Sequence, residues 1–363
     1  MPDYNDQIKD LEEELKNTKY NKRTQHHVGL VKAKIAKLRD KEQSRGKGGS
    51  HEGFAVKRSG NATVALLGFP SVGKSTLLNA LTNQESRIGA YAFTTLTVVP
   101  GVMEHKGARI QILDLPGIIK GASAGAGRGR EVISVLRQAD LILIVLDPKE
   151  AKNQLNVLKK EIYDAGIRIN SEKPDVKIKK DSKGGIVIYK TVKLDMDDDT
   201  IKGILREFRI SNATIVIRDK VDVDQFIDCI EGNKIYTQAL IAINKLDLAS
   251  AEELKRAVKV SGADIAFSAS TGTNVSDLKE MIFSSLRFIR IYLKEAQKKA
   301  DMEIPLIVRS PCTVRDVCHK LHRDFERNFK VARVWGRSAK FPGQKVNINH
   351  SLKDKDVLEI QLN

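Results

Sequence analysis

Val64-Ala65-Leu66-Leu67-Gly68-Phe69-Pro70-Ser71-Val72-Gly73-Lys74-Ser75-Thr76-Leu77-Leu78 is the stretch on which the fold turns. An apolar run reads as a buried strand, GFPSVGKS fits G-x-x-x-x-G-K-S/T, and a helix start follows. A phosphate-binding loop needs that strand–loop–helix context. Gly68 and Gly73 let the backbone curl until its N–H groups point at a phosphate chain. Pro70, Ser71, Val72 and Thr76 complete the wall of the site. Lys74 brings a point charge to the β- and γ-phosphates, and Ser75 brings a hydroxyl to Mg²⁺. The helix N-terminus adds its dipole.

Working outward, 363 residues exceed the ~150 of a typical domain, so more than one is expected. No stretch approaches the ~18 consecutive apolar residues of a membrane helix, so no membrane is expected. Met1-Pro2-Asp3-Tyr4 is polar and acidic, unlike a secretory signal. Cys229, Cys312 and Cys318 form no disulfide framework, and a reducing cytoplasm is the expected setting. The net charge is +16, which calls for an acidic partner, nucleic acid first. Lys16 to Lys47 holds eleven Lys/Arg against two acids, and Arg315 to Lys345 holds nine against three, so both ends are basic.

Tyr4, Ile8, Leu11 and Leu15, then Val28, Val31, Ile35 and Leu38, fall at helical spacing on either side of a polar turn, Asn17 to Thr24. Such a hairpin buries little alone and must lean on a neighbour. Ser44 to Ser50 reads as a flexible linker. From about Gly166 to Lys234 an α/β insert is expected, with strands at 176–179, 186–192 and 213–218 and helices at 199–208 and 223–230. The tail from Glu303 reads as a small mixed sheet crossed by one helix, Thr313 to Phe329. Cys318 and His319 are adjacent on that helix and cannot share one face, so Cys312, Cys318, His319 and His322 read as packing residues.

Two further motifs define the ligand. Ala108 to Leu113 reads as a strand ending in Asp114-Leu115-Pro116-Gly117, a D-x-x-G pattern. Asp114 can reach Mg²⁺ through a water, and the Gly117 N–H can sense a γ-phosphate. The glycine-rich 117–130 that follows suits a segment ordered in one nucleotide state only. The second is Asn244-Lys245-Leu246-Asp247 after the apolar Ala239 to Ile243. The Asp247 carboxylate can accept both N1–H and the 2-amino group of guanine, donors that adenine lacks. Asn244 ties this turn to the phosphate loop, the Lys245 stem lies along the base, and a backbone N–H of Ser268-Ala269-Ser270 can reach guanine O6.

The motifs GFPSVGKSTLLNALT, YAFTTLTVVPGV, ILDLPGIIKGA, GRGREVI, INKLD and VWGRSAKFPGQKV resemble those of translation-factor-like GTPases. More closely, they resemble the developmentally regulated GTP-binding protein family among the Obg-like GTPases. The resemblance runs along essentially the whole chain. It implies an α/β fold: a P-loop GTPase domain (53–165 and 235–300) with a mostly parallel sheet and helices on both faces. A helix-turn-helix-like hairpin and linker (1–50) would precede it, a ribosomal-protein-like insert (166–234) would interrupt it, and a β-grasp TGS domain (303–363) would follow.

Carried onto this chain, Ser75 and Thr95 would ligate Mg²⁺, in preference to Thr94. Lys74, Thr95 and Gly117 would act on the γ-phosphate. Gly68, Pro70, Ser71, Val72, Gly73, Lys74, Ser75, Thr76, Asp114 and Gly117 would hold the phosphates, and Asn244, Lys245, Asp247, Ser268 and Ala269 the guanine. Many signalling GTPases place a water-orienting Gln after D-x-x-G; here Ile118 stands there, so unassisted hydrolysis should be slow. Related enzymes hold K⁺ beside the loop through an Asn where this chain has Ser71, which leaves K⁺ open. The expected partners are GTP/GDP, ribosome or RNA at the basic ends, and a regulatory protein. The competing reading is an RNA-binding scaffold whose nucleotide is structural.

Overall fold

The structure is a computed structural model, and it describes residues 4–19, 21–45, 58–82, 99–115, 129–295, 298 and 300–363. Thr94, Thr95, Gly117 and Ile118 lie outside the described residues, as do segments 91–96 and 117–128. The chain divides into two compact units. One joins the N-terminal hairpin to Ile162–Tyr236; the other comprises Ala55–Ala122, Arg128–Glu161 and Thr237–Asn363.

The larger unit is built on a twisted sheet. Its six-strand path runs Ile265–Ala266, Ile235–Ile243, Leu141–Leu146, Ala62–Leu67, Ala108–Asp114, Val99–His105. All neighbours are parallel except the last pair. Ala62–Leu67 and Leu141–Leu146 are buried at every residue, which is why both read as unbroken apolar runs rather than alternating ones. Leu77, Leu78 and Leu81 of the helix Lys74–Leu81 join Leu278 and Ile282 of the helix Val275–Ser285 over one face. Parallel pairing sets Leu66 beside Asp114 and Leu146 beside Ile243, so the strands end along one edge.

The same unit holds a five-stranded sheet, in the order Leu306–Arg309, Phe288–Leu293, Asp356–Leu362, Phe329–Trp335, Gln344–Val346. Its core takes Val314, Val317 and Cys318 from the helix Val314–Leu321 that crosses it, together with Cys312. His319 pairs instead with Glu326 at 2.6 Å. This sheet begins before Glu303, where the tail was expected to start. Phe288–Leu293 pairs in parallel with Asp356–Leu362, a partner more than sixty residues away that no local pattern announces. The single helix expected over 313–329 is two, Val314–Leu321 and Arg323–Arg327, broken at an extended His322.

In the smaller unit the helices Tyr4–Asn17 and Gln25–Arg45 pack through Ile8, Val31 and Ile35. Asn21 closes the turn, its Oδ1 accepting from the N–H groups of Arg23 and Thr24. The insert is a three-stranded sheet ordered Val176–Lys180, Ala213–Ile217, Ile186–Lys190, backed by the helices Asp198–Glu207 and Val223–Glu231. Asp197 and Asp222 cap these helices, accepting from the N–H groups of Thr200 and Gln225.

The hairpin leans on this insert. Ala33, fully buried, sits in one apolar cluster with Ile201, Ile204 and Phe226. The helices meet where side chains are missing: a Cβ on Gly29 would stand 3.0 Å from Thr200 Cγ2, and one on Gly203 2.7 Å from His26 Cε1. Lys32 pairs with Asp224 at 2.6 Å, and Arg39 with Glu12 and Asp164 at 2.6 and 2.8 Å. Hairpin and insert therefore share a core, whereas the sequence pattern suggests two separate segments.

Ala33→Asp should strip the hairpin from the insert. An unpaired carboxylate in that cluster is worth about 3 kcal/mol or more of lost stability, so the intact chain should melt at a clearly lower temperature by circular dichroism. Lys34→Asp, one residue on and exposed, should leave the melt nearly unchanged.

Candidate functional site

Strand ends deliver the polar groups. After Leu67 the chain turns through Gly68, where a Cβ would stand 2.5 Å from the Val145 carbonyl oxygen. Glycine is needed there for close approach of the neighbouring strand. Gly73 is needed for two reasons: its φ is +93°, and a Cβ would meet Asn244 Nδ2 at 2.3 Å. Ser71 is also left-handed, at φ 62°. Between them Val72 is buried, while Pro70 and Ser71 are exposed at the mouth.

Lys74, only 9% exposed, donates to the carbonyls of Gly68 and Phe69 at 3.0 and 3.1 Å. Burial pushes its ammonium below the usual lysine range, opposed by the Asp114 carboxylate. Two carbonyls are weak compensation for a desolvated cation, so this lysine could take an anionic oxygen such as that of a phosphate. Next to it Ser75 Oγ donates to Asp114 Oδ2 at 2.6 Å. A hydroxyl and a carboxylate oxygen converging beside a phosphate cradle are a hard-oxygen donor set that suits Mg²⁺. Thr76 is exposed one residue along the helix.

The base side hangs on Asn244, 3% exposed. Its Nδ2 donates to the Val72 carbonyl at 2.9 Å, and its Oδ1 accepts from the Ala269 N–H at 3.0 Å. One side chain thus clamps the phosphate loop to the Ser268–Ser270 turn. Ser268 is fully buried; its Oγ lies 3.0 Å from Ser270 Oγ and accepts from the Thr271 N–H. Asp247 sits on the short helical turn Leu246–Leu248, exposed, with Ser270 Oγ donating to it at 3.3 Å. The Ser268 hydroxyl, seconded by Ser270, holds its carboxyl below the ordinary range, so it stays an acceptor. Lys245 is left-handed at φ 62°.

Of the sequence-predicted residues, the structure brings together Gly68 to Thr76, Asp114, Asn244, Lys245, Asp247, Ser268 and Ala269. Thr95 and Gly117 fall outside the described residues. One participant is not legible as a motif. Asp147, just past Leu141–Leu146, accepts from Lys245 Nζ at 2.9 Å and from the Lys149 N–H at 3.1 Å. Its burial pushes the carboxyl up, but these donors hold it below the usual range. It pins the Lys245 side chain at the end of the Leu141–Leu146 strand. The only signal in the sequence is an acid at the end of a buried strand, the same signal that marks Asp114.

The arrangement defines a class: a P-loop GTPase domain joined to a TGS domain. The model of the 50S ribosome-binding GTPase family matches residues 63–180, that of the C-terminal region of the same domain matches 183–288, and that of the TGS domain matches 289–361. The chain is 42% identical to developmentally-regulated GTP-binding protein 2 of Homo sapiens over 358 residues, 98% of each chain. It is 55% identical to an uncharacterized GTP-binding protein of Methanocaldococcus jannaschii over 98% of this chain and 92% of that one. It is also 44% identical to a developmentally-regulated GTP-binding protein 2 homolog of Dictyostelium discoideum, over 98% of each chain. The chain belongs to the developmentally regulated GTP-binding protein family and is a GTP-binding protein.

Asp247→Asn should weaken GTP binding on the order of 100-fold, since the amide keeps one acceptor but loses the charge and turns an NH2 donor toward a guanine donor. It should also admit xanthosine triphosphate, whose 2-oxo group needs a donor. Isothermal titration with both nucleotides reads the exchange, and unchanged GTP affinity would remove Asp247 from the base site.

Proposed function

We propose that this protein is a GTP-hydrolysing switch that acts on ribosomes or translation-related RNA in the cytoplasm. The observation that carries the reading is the clamp of Asn244 between phosphate loop and base turn, with Lys74 underpaired and Asp114 at the metal side. In this reading Ser75 and Thr95 would hold Mg²⁺, with Asp114 behind them on the metal side. The ion would neutralise charge developing on the phosphates. Lys74 exchanges two carbonyls for β- and γ-phosphate oxygens. Asp147 keeps the Lys245 stem over the base. Ser71 stands where related enzymes hold K⁺ through an Asn and fits that ion less well, so turnover in K⁺ against Na⁺ decides whether K⁺ takes part. Because Ile118 can neither donate nor accept, turnover without a partner should lie well below ~1 per second, the range of unassisted GTPases. Multiple-turnover phosphate release with and without ribosomes tests both the hydrolysis and its slowness.

The RNA side rests on charge and on the ribosome-binding description of the matched family. The hairpin's eleven cations are not equivalent. Lys32, Lys37 and Arg39 are engaged with carboxylates of the same unit. Lys16, Lys19, Lys22 and Arg23 cluster around the turn and form no ion pair among the described residues. Lys34 and Lys41 are likewise exposed, but the turn gathers four cations within eight residues, and in this reading it is the end that meets phosphates. Co-sedimentation with ribosomes in GTP, GDP and a non-hydrolysable analogue should show nucleotide-dependent binding.

Neutralising Lys16, Lys19, Lys22 and Arg23 to Gln should lower the log–log salt slope of ribosome or RNA binding by up to about 3, at roughly 0.7–0.9 for each phosphate no longer neutralised. GTP affinity should be unchanged. An identical slope would make the hairpin charge a solvated face only.

A further inference from the structure

The insert sheet has one face with no covering layer among the described residues. Ile178, Ile188 and Ile215 point to the helices and join their core, which also takes Ala33 from the hairpin. By strand alternation Lys177, Lys179, Val187, Tyr189, Thr214 and Val216 share the opposite face. The register sets them in two cross-strand rows. Lys177 opposes Val216, which opposes Tyr189; Lys179 opposes Thr214, which opposes Val187. Each row thus runs from a lysine to an apolar or aromatic side chain. The rows recur at roughly 6.6 Å, two residues of strand rise.

Exposure marks this face as unusual. Tyr189 is 57% and Val187 41% exposed. A solvated sheet face is ordinarily polar. The side chains of Tyr189, Lys177 and Lys179 make no hydrogen bond or ion pair among the described residues, while the acids nearby are engaged. Asp181 accepts from Thr214 Oγ1 at 2.7 Å, and Asp175 pairs with Arg218 at 3.1 Å. From Lys173 to Lys193 the chain carries seven lysines against two aspartates. Gly184 and Gly185, in the turn that joins the first two strands, have no neighbour that a Cβ would touch, so nothing described shields that end of the face.

From this juxtaposition we infer that the open face of the insert sheet is a binding platform for single-stranded RNA, with a base stacked on Tyr189 and backbone phosphates held by Lys177 and Lys179. A π-face on one strand and ammonium groups two strands away match the two faces of a splayed nucleotide, its base and its phosphate. An apolar protein partner would leave both lysines uncompensated. Stacking on one ring reads little sequence, so binding is sequence-tolerant. This inference rests on the RNA partner of the proposed function and gives that partner a second anchoring point, on the insert rather than on the hairpin turn.

The test uses the intact chain and a fluorescent single-stranded RNA of mixed sequence, titrated at several salt concentrations. Tyr189→Ser should weaken binding about tenfold with the salt slope unchanged, and Tyr189→Phe should retain affinity, because a ring suffices for stacking. Lys177→Gln with Lys179→Gln should lower the slope by roughly 1–2. GTP affinity and melting temperature should be unaltered in all three, since these side chains touch no core. If the intact chain binds the RNA and Tyr189→Ser binds equally well, the platform is overturned while the proposed function stands. If the intact chain binds no single-stranded RNA yet sediments with ribosomes, the platform is again overturned. If it does neither, both readings fall. Loss of a protein partner on Tyr189→Ser, with RNA affinity unchanged, would reassign the face to protein docking and overturn the inference.

Discussion

The Asn244 carboxamide is the interaction that holds the glycine loop after the first sheet strand against the Ser268–Ser270 turn. It donates to the phosphate loop at Val72 and accepts from the base turn at Ala269, while almost wholly buried. An amide can do both because it carries a donor and an acceptor on one planar group. Aspartate would lose the donor and bury a charge. Gly73 is shaped around the same group: no Cβ fits between it and Nδ2. The two loops come from strands far apart in the chain, and this one side chain fixes the distance between Val72 and Ala269.

The sheet makes that clamp possible. Parallel strands place their C-terminal ends on one edge, so Gly68, Asp114, Asp147 and Asn244 emerge side by side from four different strands. Each follows an apolar strand that is largely buried and so leaves no alternative register. Lys74 and Lys245 each settle against the nearest oxygens, one on two carbonyls, the other on Asp147.

The smaller unit follows a different logic. Its hairpin has a seam too short to stand alone and buries a second stripe against the insert. Small residues at Gly29, Ala33 and Gly203 allow that approach, and the ion pairs of Lys32 and Arg39 frame it. Cations engaged in this way are withdrawn from an external anion. The basic count of a helix is therefore an upper limit on what it offers to RNA, and position around the helix decides the rest.

What the residues alone determined is which polar groups leave the ends of the buried strands. Lys74, Asp114 and Asp247 were legible because glycine turns, strand-end acids and N-K-x-D each have a local physical reason, one that survives without knowledge of the partners. The insert's strands and helices were legible for the same reason, since period and caps are local. Tertiary structure alone decided three things. It recruited Phe288–Leu293 to the tail sheet through a partner more than sixty residues away. It joined the hairpin to the insert through glycines and an alanine, whose role is to be absent rather than to interact. It gave Asp147 to Lys245, a pairing of two ordinary charges 98 residues apart. In each case the deciding influence is packing between segments distant in sequence, and no local periodicity encodes it.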